Sequence, residues 1–313
     1  MDQVARWIEV FDAYVWGWPL IVMLVGTGLF LTVRLAFIQL RGFRHGVEVI
    51  RGRYDDPDDP GEISHFRALT TALSATIGTG NIIGVAAAIL LGGPGAVFWM
   101  WITALFGMAT KFASCTLAVH YRRIDEHGEV HGGPMHFIEL GMGPKFKWLA
   151  VLFASFTALA SFGIGNMFQA SNIVSSTSSL LLGSNSDSVA LRLAIGFVMA
   201  IVVGITIIGG VKRIAAVASR LVPLMVVVYF GAGVLILLMN VSEIPAALGL
   251  IFHSAFNAPE AVTGGLLGGV IRQGVARGLF SNEAGLGSAA MAHGAARTSE
   301  PVREGPVAML GPF

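Results

Sequence analysis

Ala75-Thr76-Ile77-Gly78-Thr79-Gly80-Asn81-Ile82-Ile83-Gly84 lies in the middle of an apolar run, Phe66–Leu91. A helix needs about 20 apolar residues to cross the hydrocarbon core, and Phe66–Leu91 is long enough. Each of the two glycines flanking Thr79 costs a helix about 1 kcal/mol relative to alanine. The stretch therefore predicts a break near 78–81. Peptide groups freed at that depth are tolerated only where they line a cavity or meet a ligand.

Freed carbonyls suit a desolvated sodium ion, with Thr76 and Gly78 as candidate ligands. The N-terminus of a half-helix suits a carboxylate. Thr79 offers a hydroxyl and Asn81 an amide. Close packing is the competing reading, because Gly80 and Gly84 form a small-xxx-small pair that lets helices approach. The glycine spacing is not that of a dinucleotide fingerprint, and no strand precedes it.

Outward from this stretch the chain reads as membrane protein. Of its 313 residues, 54% are hydrophobic and 12% charged, about half the charge of a soluble domain. Predicted spans fall near 15–38, 66–91, 96–121, 148–182, 191–208, 221–239 and 261–296, in a single transmembrane domain. The run 148–182 is too long for one straight crossing. Val15–Ile38 follows an acidic start and has no evident cleavage site, so it reads as a retained span. Segments 39–65, 122–147 and 209–220 carry four, four and three Lys or Arg, eleven of the chain's 20. The alternating loops 92–95, 183–190 and 240–260 carry none, which puts the first set on the cytoplasmic side.

A second interruption is Gly278-Leu279-Phe280-Ser281-Asn282-Glu283-Ala284-Gly285-Leu286-Gly287-Ser288-Ala289. Two interrupted helices in corresponding places point to a transporter site. Glu283 has Arg277 and Arg272 as possible ion-pair partners. Gln169, within Gly163-Ile164-Gly165-Asn166-Met167-Phe168-Gln169, is open to two readings, a helix–helix hydrogen bond or a ligand contact. Lys111 lies inside a span, where a charge is either functional or snorkels to the interface. His127, His131 and His136 read as solvated loop histidines, with no cysteine beside them to complete a metal site. The single cysteine, Cys115, reads as a small buried apolar side chain. A net charge of +1 gives no argument for nucleic acid. No nucleophile triad, phosphate loop or HExxH motif is present, so the sequence predicts neither an enzyme nor a cofactor.

Four motifs together carry a resemblance: Ile77-Gly78-Thr79-Gly80-Asn81-Ile82, Gly92-Gly93-Pro94-Gly95-Ala96, Gly132-Gly133-Pro134-Met135 and Ser281-Asn282-Glu283-Ala284-Gly285-Leu286-Gly287-Ser288-Ala289. They resemble the signatures of the alanine or glycine:cation symporter family, from about the first span to the last residue. The resemblance implies an all-α, LeuT-type fold of two inverted five-helix repeats in the cell inner membrane. It implies symport of a small neutral amino acid, alanine or glycine, with sodium or sometimes a proton as coupling ion. Thr79, Gly80 and Asn81 then match the first broken helix at the substrate's amino and carboxylate groups. Phe168 and Gln169 match the third core helix, and Phe280, Ser281 and Asn282 the second broken helix, near 280–288. Family members are longer, which implies an incomplete fold truncated after the first repeat, or a chain partnered by a separately encoded C-terminal half. A channel or a non-transporting membrane scaffold is the alternative.

Overall fold

The computed structural model describes residues 2–183, 188–257 and 268–313. The chain opens with α1 (Asp2–Val15), α2 (Trp18–Arg34), α3 (Ile38–Arg41) and α4 (Phe43–Ile50). The first broken pair is α5 (His65–Thr76) and α6 (Thr79–Gly92). The long α7 (Gly95–His120) is followed by a hairpin, β1 (Arg123–Ile124) with β2 (Val130–His131), antiparallel. Next come α8 (Pro134–Met142), α9 (Lys147–Phe162), a π-helical segment Gly163–Phe168 and α10 (Gln169–Leu182). Then follow α11 (Val189–Ile207), α12 (Gly210–Met239) and α13 (Ile244–Phe256). The last elements are α14 (Gly268–Asn282), α15 (Ser288–Gly294) and α16 (Pro301–Ala308).

Among the described residues, four helical segments are long and apolar enough to cross a membrane: Gly95–His120, Pro144–Leu181, Val189–Ile207 and Gly210–Met239. The bent pair His65–Thr76 and Asn81–Gly92 makes a fifth if it counts as one span. The architecture is that of an all-α, multi-pass membrane protein.

The element boundaries differ from the sequence reading in four places. α2 begins with Pro19 in its first turn and ends at Arg34, and Ala36 and Phe37 beyond it have positive φ. That left-handed pair turns the chain before position 38. Segment 209–220, read as a loop, is the start of the 30-residue α12. Its Ala215, Ala218 and Val222 are buried while Lys212, Arg213 and Arg220 are exposed, so a one-sided helix was hidden beneath its charges. The mixed segment 240–260 contains the apolar α13, whose Ser254 and Ala255 backbone lies against Gly95. Of the predicted span 261–296, residues 261–267 lie outside the described residues; the remainder is divided between α14 and α15.

The core is built around α7, against which α2, α13, α14, α15 and α16 pack. Close approach explains the small residues there. On α14, Gly274 and Gly278 sit four apart: a Cβ on Gly274 would stand 2.5 Å from the Ala96 carbonyl oxygen, and one on Gly278 3.0 Å from Thr103 Cβ. Only glycine lets the two backbones touch at Gly274. α11 lies at the opposite extreme. None of its residues is buried, and Phe197, Ile201 and Val202 face outward, as expected of a helix whose solvent is lipid.

Candidate functional site

The first break spans Ile77 and Gly78. Ile77 has extended backbone (φ −82, ψ 103), and so does Gly78 (φ −161, ψ −160), before α6 begins at Thr79. The two halves meet at 46°. The break near 78–81 is therefore present, and ordinary unbroken packing is excluded. The Thr76 hydroxyl, on a buried side chain, donates to the Ala72 carbonyl at 3.0 Å. This leaves the oxygen's lone pairs free of that bond. The Gly78 carbonyl accepts from the Asn81 amide at 3.1 Å, which closes the first turn of α6. Thr79 and Gly80 form that turn; their side-chain positions lie outside the described set.

Gln169 comes directly to this break. An ideal Cβ on Gly78 would lie 3.1 Å from Gln169 Nε2 and 3.3 Å from Oε1. The side chain is delivered by an irregularity of its own, since Gln169 opens α10 immediately after the π-helical turn Gly163–Phe168. Single π turns add a residue to a helix and are frequent at functional sites. Phe168 beside it is exposed. The buried Asn81 Oδ1 has no hydrogen-bond partner within the protein. An unpaired buried acceptor is costly, and one placed at a helix break is a candidate ligand contact.

The second break runs from Glu283 to Gly287, between α14 and α15. Glu283, Gly285 and Gly287 all have positive φ. Gly285 packs on Leu24 and Gly287 on Phe153 and Pro134, each too closely for a Cβ. Asn282 Oδ1 accepts from the Ala284 amide at 2.9 Å, while its buried Nδ2 has no partner. Nδ2 lies near Gly107 of α7. Ser281 is half-buried, and Phe280 stacks edge-on with Trp16, ring centroids 6.1 Å apart. Phe280 thus also anchors the N-terminal helices. Glu283 accepts from the Ser288 hydroxyl at 2.5 Å, so it closes its own turn. Lys111 does not snorkel: it is 2% exposed, next to Gly311 and within electrostatic reach of Glu283.

The end of the molecule bearing the cationic loops holds a buried network that the sequence reading missed. Glu304 of α16 accepts hydrogen bonds from His65 Nδ1 and, at 2.5 Å, from His293 Nδ1. All three side chains are 0–1% exposed. Burial pushes the Glu304 carboxyl up, but the hydrogen bonds from His293 and His65 outweigh it and hold the group below the usual carboxylate range. Alongside, the Arg122 guanidinium donates to four carbonyls: Gly294 (3.1 Å), Ala296 (2.5 Å), Pro60 (2.7 Å) and Thr298 (2.7 Å). A parallel bridge pairs Ile63 with Ala296. The only signal in the sequence was a histidine at the outer end of each interrupted helix.

The loop histidines behave differently from one another. His131 and Asp125 pair at 3.3 Å on the exposed hairpin, and Glu129 brings a third potential metal-ligand atom within 4.8 Å of the other two. Asp125 is occupied by turn closure. The Glu129 amide donates to its carboxyl and holds it below the usual range; burial opposes this, and His131 and the His127 amide add to the lowering. His136 on α8 is half-buried, and burial lowers its pKa.

A profile of the sodium:alanine symporter family matches residues 1–313. The chain is 48% identical to the sodium/alanine symporter AgcS of Methanococcus maripaludis, over 100% of this chain and 68% of that protein. It is 46% identical to an uncharacterized transporter of Haemophilus influenzae, covering 98% of this chain and 66% of the relative. To the probable sodium/glutamine symporter GlnT of Bacillus subtilis it is 41% identical, over 99% and 63%. The chain thus spans about two thirds of the length of these relatives. The family is one of transporters, not enzymes. Two broken helices meeting a membrane-type core, and a family match over the whole chain, lead to one assignment: this protein belongs to the sodium:alanine symporter family.

Proposed function

We propose that the protein takes part in sodium-coupled symport of a small neutral amino acid, alanine or glycine, across the cell inner membrane. Substrate and ion bind at the two helix breaks of a LeuT-type arrangement, and movement of the broken helices alternates access. The observation that carries this reading is the meeting of the Gln169 amide with the bare backbone of Gly78, one turn from the unpaired Asn81 Oδ1.

In this reading the substrate's carboxylate and amino group are held by Thr79, Gly80 and Asn81. Gln169 and Phe168 bound the pocket from the third core helix, and Phe280, Ser281 and Asn282 from the second break. Sodium is held by oxygens of Thr76 and Gly78, hard donors suited to a hard cation. The direct contact of Gln169 with Gly78 leaves little volume there, which favours small side chains. The glutamine named for one relative makes substrate size the property to measure first.

The test is uptake of radiolabelled alanine, glycine and glutamine into proteoliposomes, with inward gradients of sodium or of protons. Uptake driven by sodium and abolished by Asn81→Ala supports the reading. Alanine-stimulated current without coupled sodium flux would replace it with a channel.

A further inference from the structure

Two interfaces at the cationic-loop end differ in kind. α5 and α15, one half of each broken helix, are joined by polar bonds. His65 is the first residue of α5, His293 is near the end of α15, and both donate to the buried Glu304 carboxylate. Backbone bonds add to this: the Glu62 amide to the Ala295 carbonyl (2.9 Å), Arg297 to Ile63 (2.7 Å) and Thr298 to Pro60 (3.0 Å). Arg122 closes the same strip with its four carbonyl contacts. Where α5 meets α12, Ala68 and Ala215 share one alanine cluster that also takes in Ala295 and Ala296 beyond α15, so alanine packing is common to both interfaces and only the polar bonds are particular to α5 and α15. Among the described residues no hydrogen bond or ion pair joins α5 to α12.

These interfaces respond differently to force. Separating α5 from α15 strands a buried carboxylate and two buried imidazoles, which is strongly unfavourable. Sliding alanine faces past each other strands no polar group. We infer that Glu304, with His65 and His293, is a latch that makes α5 and α15 move as one body past α12 during transport. Glu304 is a positioning residue in this scheme and touches neither substrate nor ion. The inference rests on the transport reading above.

The experiment uses spin labels in the purified full chain, in a Cys115→Ala background. Exposed sites are available at Arg67 on α5, Ser299 just beyond α15 and Lys212 on α12. Distances are measured by double electron–electron resonance with sodium plus alanine and with neither. The 67–299 distribution is expected to stay narrow and unshifted, while 67–212 shifts. Glu304→Gln keeps the volume but presents an amide donor to one imidazole N–H. It is expected to broaden 67–299 and to lower the maximal uptake rate with little change in half-saturating alanine. Glu304→Asp is expected to restore part of both. A 67–299 shift as large as that of 67–212 in the unsubstituted chain, or a narrow 67–299 distribution in both Glu304→Gln and His293→Ala, overturns the latch. Should no pair respond and no alanine bind, transport fails as a reading. The ligand-free 67–299 widths of the variants then decide the latch alone: broadening supports it, and unchanged widths overturn it.

Discussion

The side-chain amide of Gln169 rests on Gly78, where an added Cβ would stand 3.1 Å from Nε2. That distance is tight but not prohibitive, because the contact is the far end of a flexible side chain. Gly78→Ala is expected to displace Gln169 by a few tenths of an ångström, at about 1 kcal/mol, the low end for overpacking. Half-saturating alanine should rise several-fold with protein levels unchanged. Gly78→Val should abolish uptake. Full activity of the valine variant would remove this contact from the site.

Asn81 makes a prediction in two directions. Its buried Oδ1 lacks a partner, so Asn81→Ala removes an unsatisfied group and is expected to leave the ligand-free protein as stable or slightly more so. The stabilisation conferred by sodium plus alanine should disappear. In the unsubstituted chain that stabilisation is about 2.7 kcal/mol at a hundredfold excess over Kd. Thermal melts with and without ligand measure both effects; a retained ligand shift would exclude Asn81 from binding.

Arg122 serves four carbonyl acceptors at once. A lysine ammonium has three donors and no planar fork. Arg122→Lys is therefore expected to lose at least one of these bonds, destabilising the strip by about 0.5–1.5 kcal/mol. Limited proteolysis should cut near 294–300 faster in the variant, and Arg122→Ala faster still.

Glu304 gives a pH dependence with a defined sign. Its carboxyl is held low in the folded state by His293 and His65. Its contribution is therefore full above the ordinary glutamate value of about 4.3. It is lost as pH falls through the lower folded value. Hydrogen exchange at Glu62, Arg297 and Thr298, corrected for intrinsic rates, should show flat protection from about pH 8 to about pH 5 and lose it together in stronger acid. Protection that persists unchanged in strong acid would show that the carboxylate does not hold the strip.

The helix break at Gly78 was legible because two glycines and an asparagine fall together in the middle of a lipid-length apolar run, where each glycine weakens the helix. The second break was legible from its own run of glycines and polar residues, and it falls at Glu283–Gly287, inside the expected stretch 280–288. Gln169 was visible as a polar residue in a span, but its partner was not, because contact across helices leaves no local pattern. α12 was misread at its start because Lys212 and Arg213 mask an alanine face that only a helical wheel exposes. The Glu304 network escaped entirely. His65 and Glu304 lie in segments that look solvated and His293 in a predicted span, and an acid and two histidines become a network only when three short elements converge.

His65 and Glu304 meet across 239 positions of sequence. Partners so far apart cannot find each other until Glu304 has been made, long after His65 has left the ribosome. Their joining therefore comes only after the helices between them have been made. Until then a histidine, and later a glutamate, must remain hydrated at the membrane rim. The maturing protein should thus pass through an inserted but unsealed form, recognisable by protease sensitivity on the cationic-loop side.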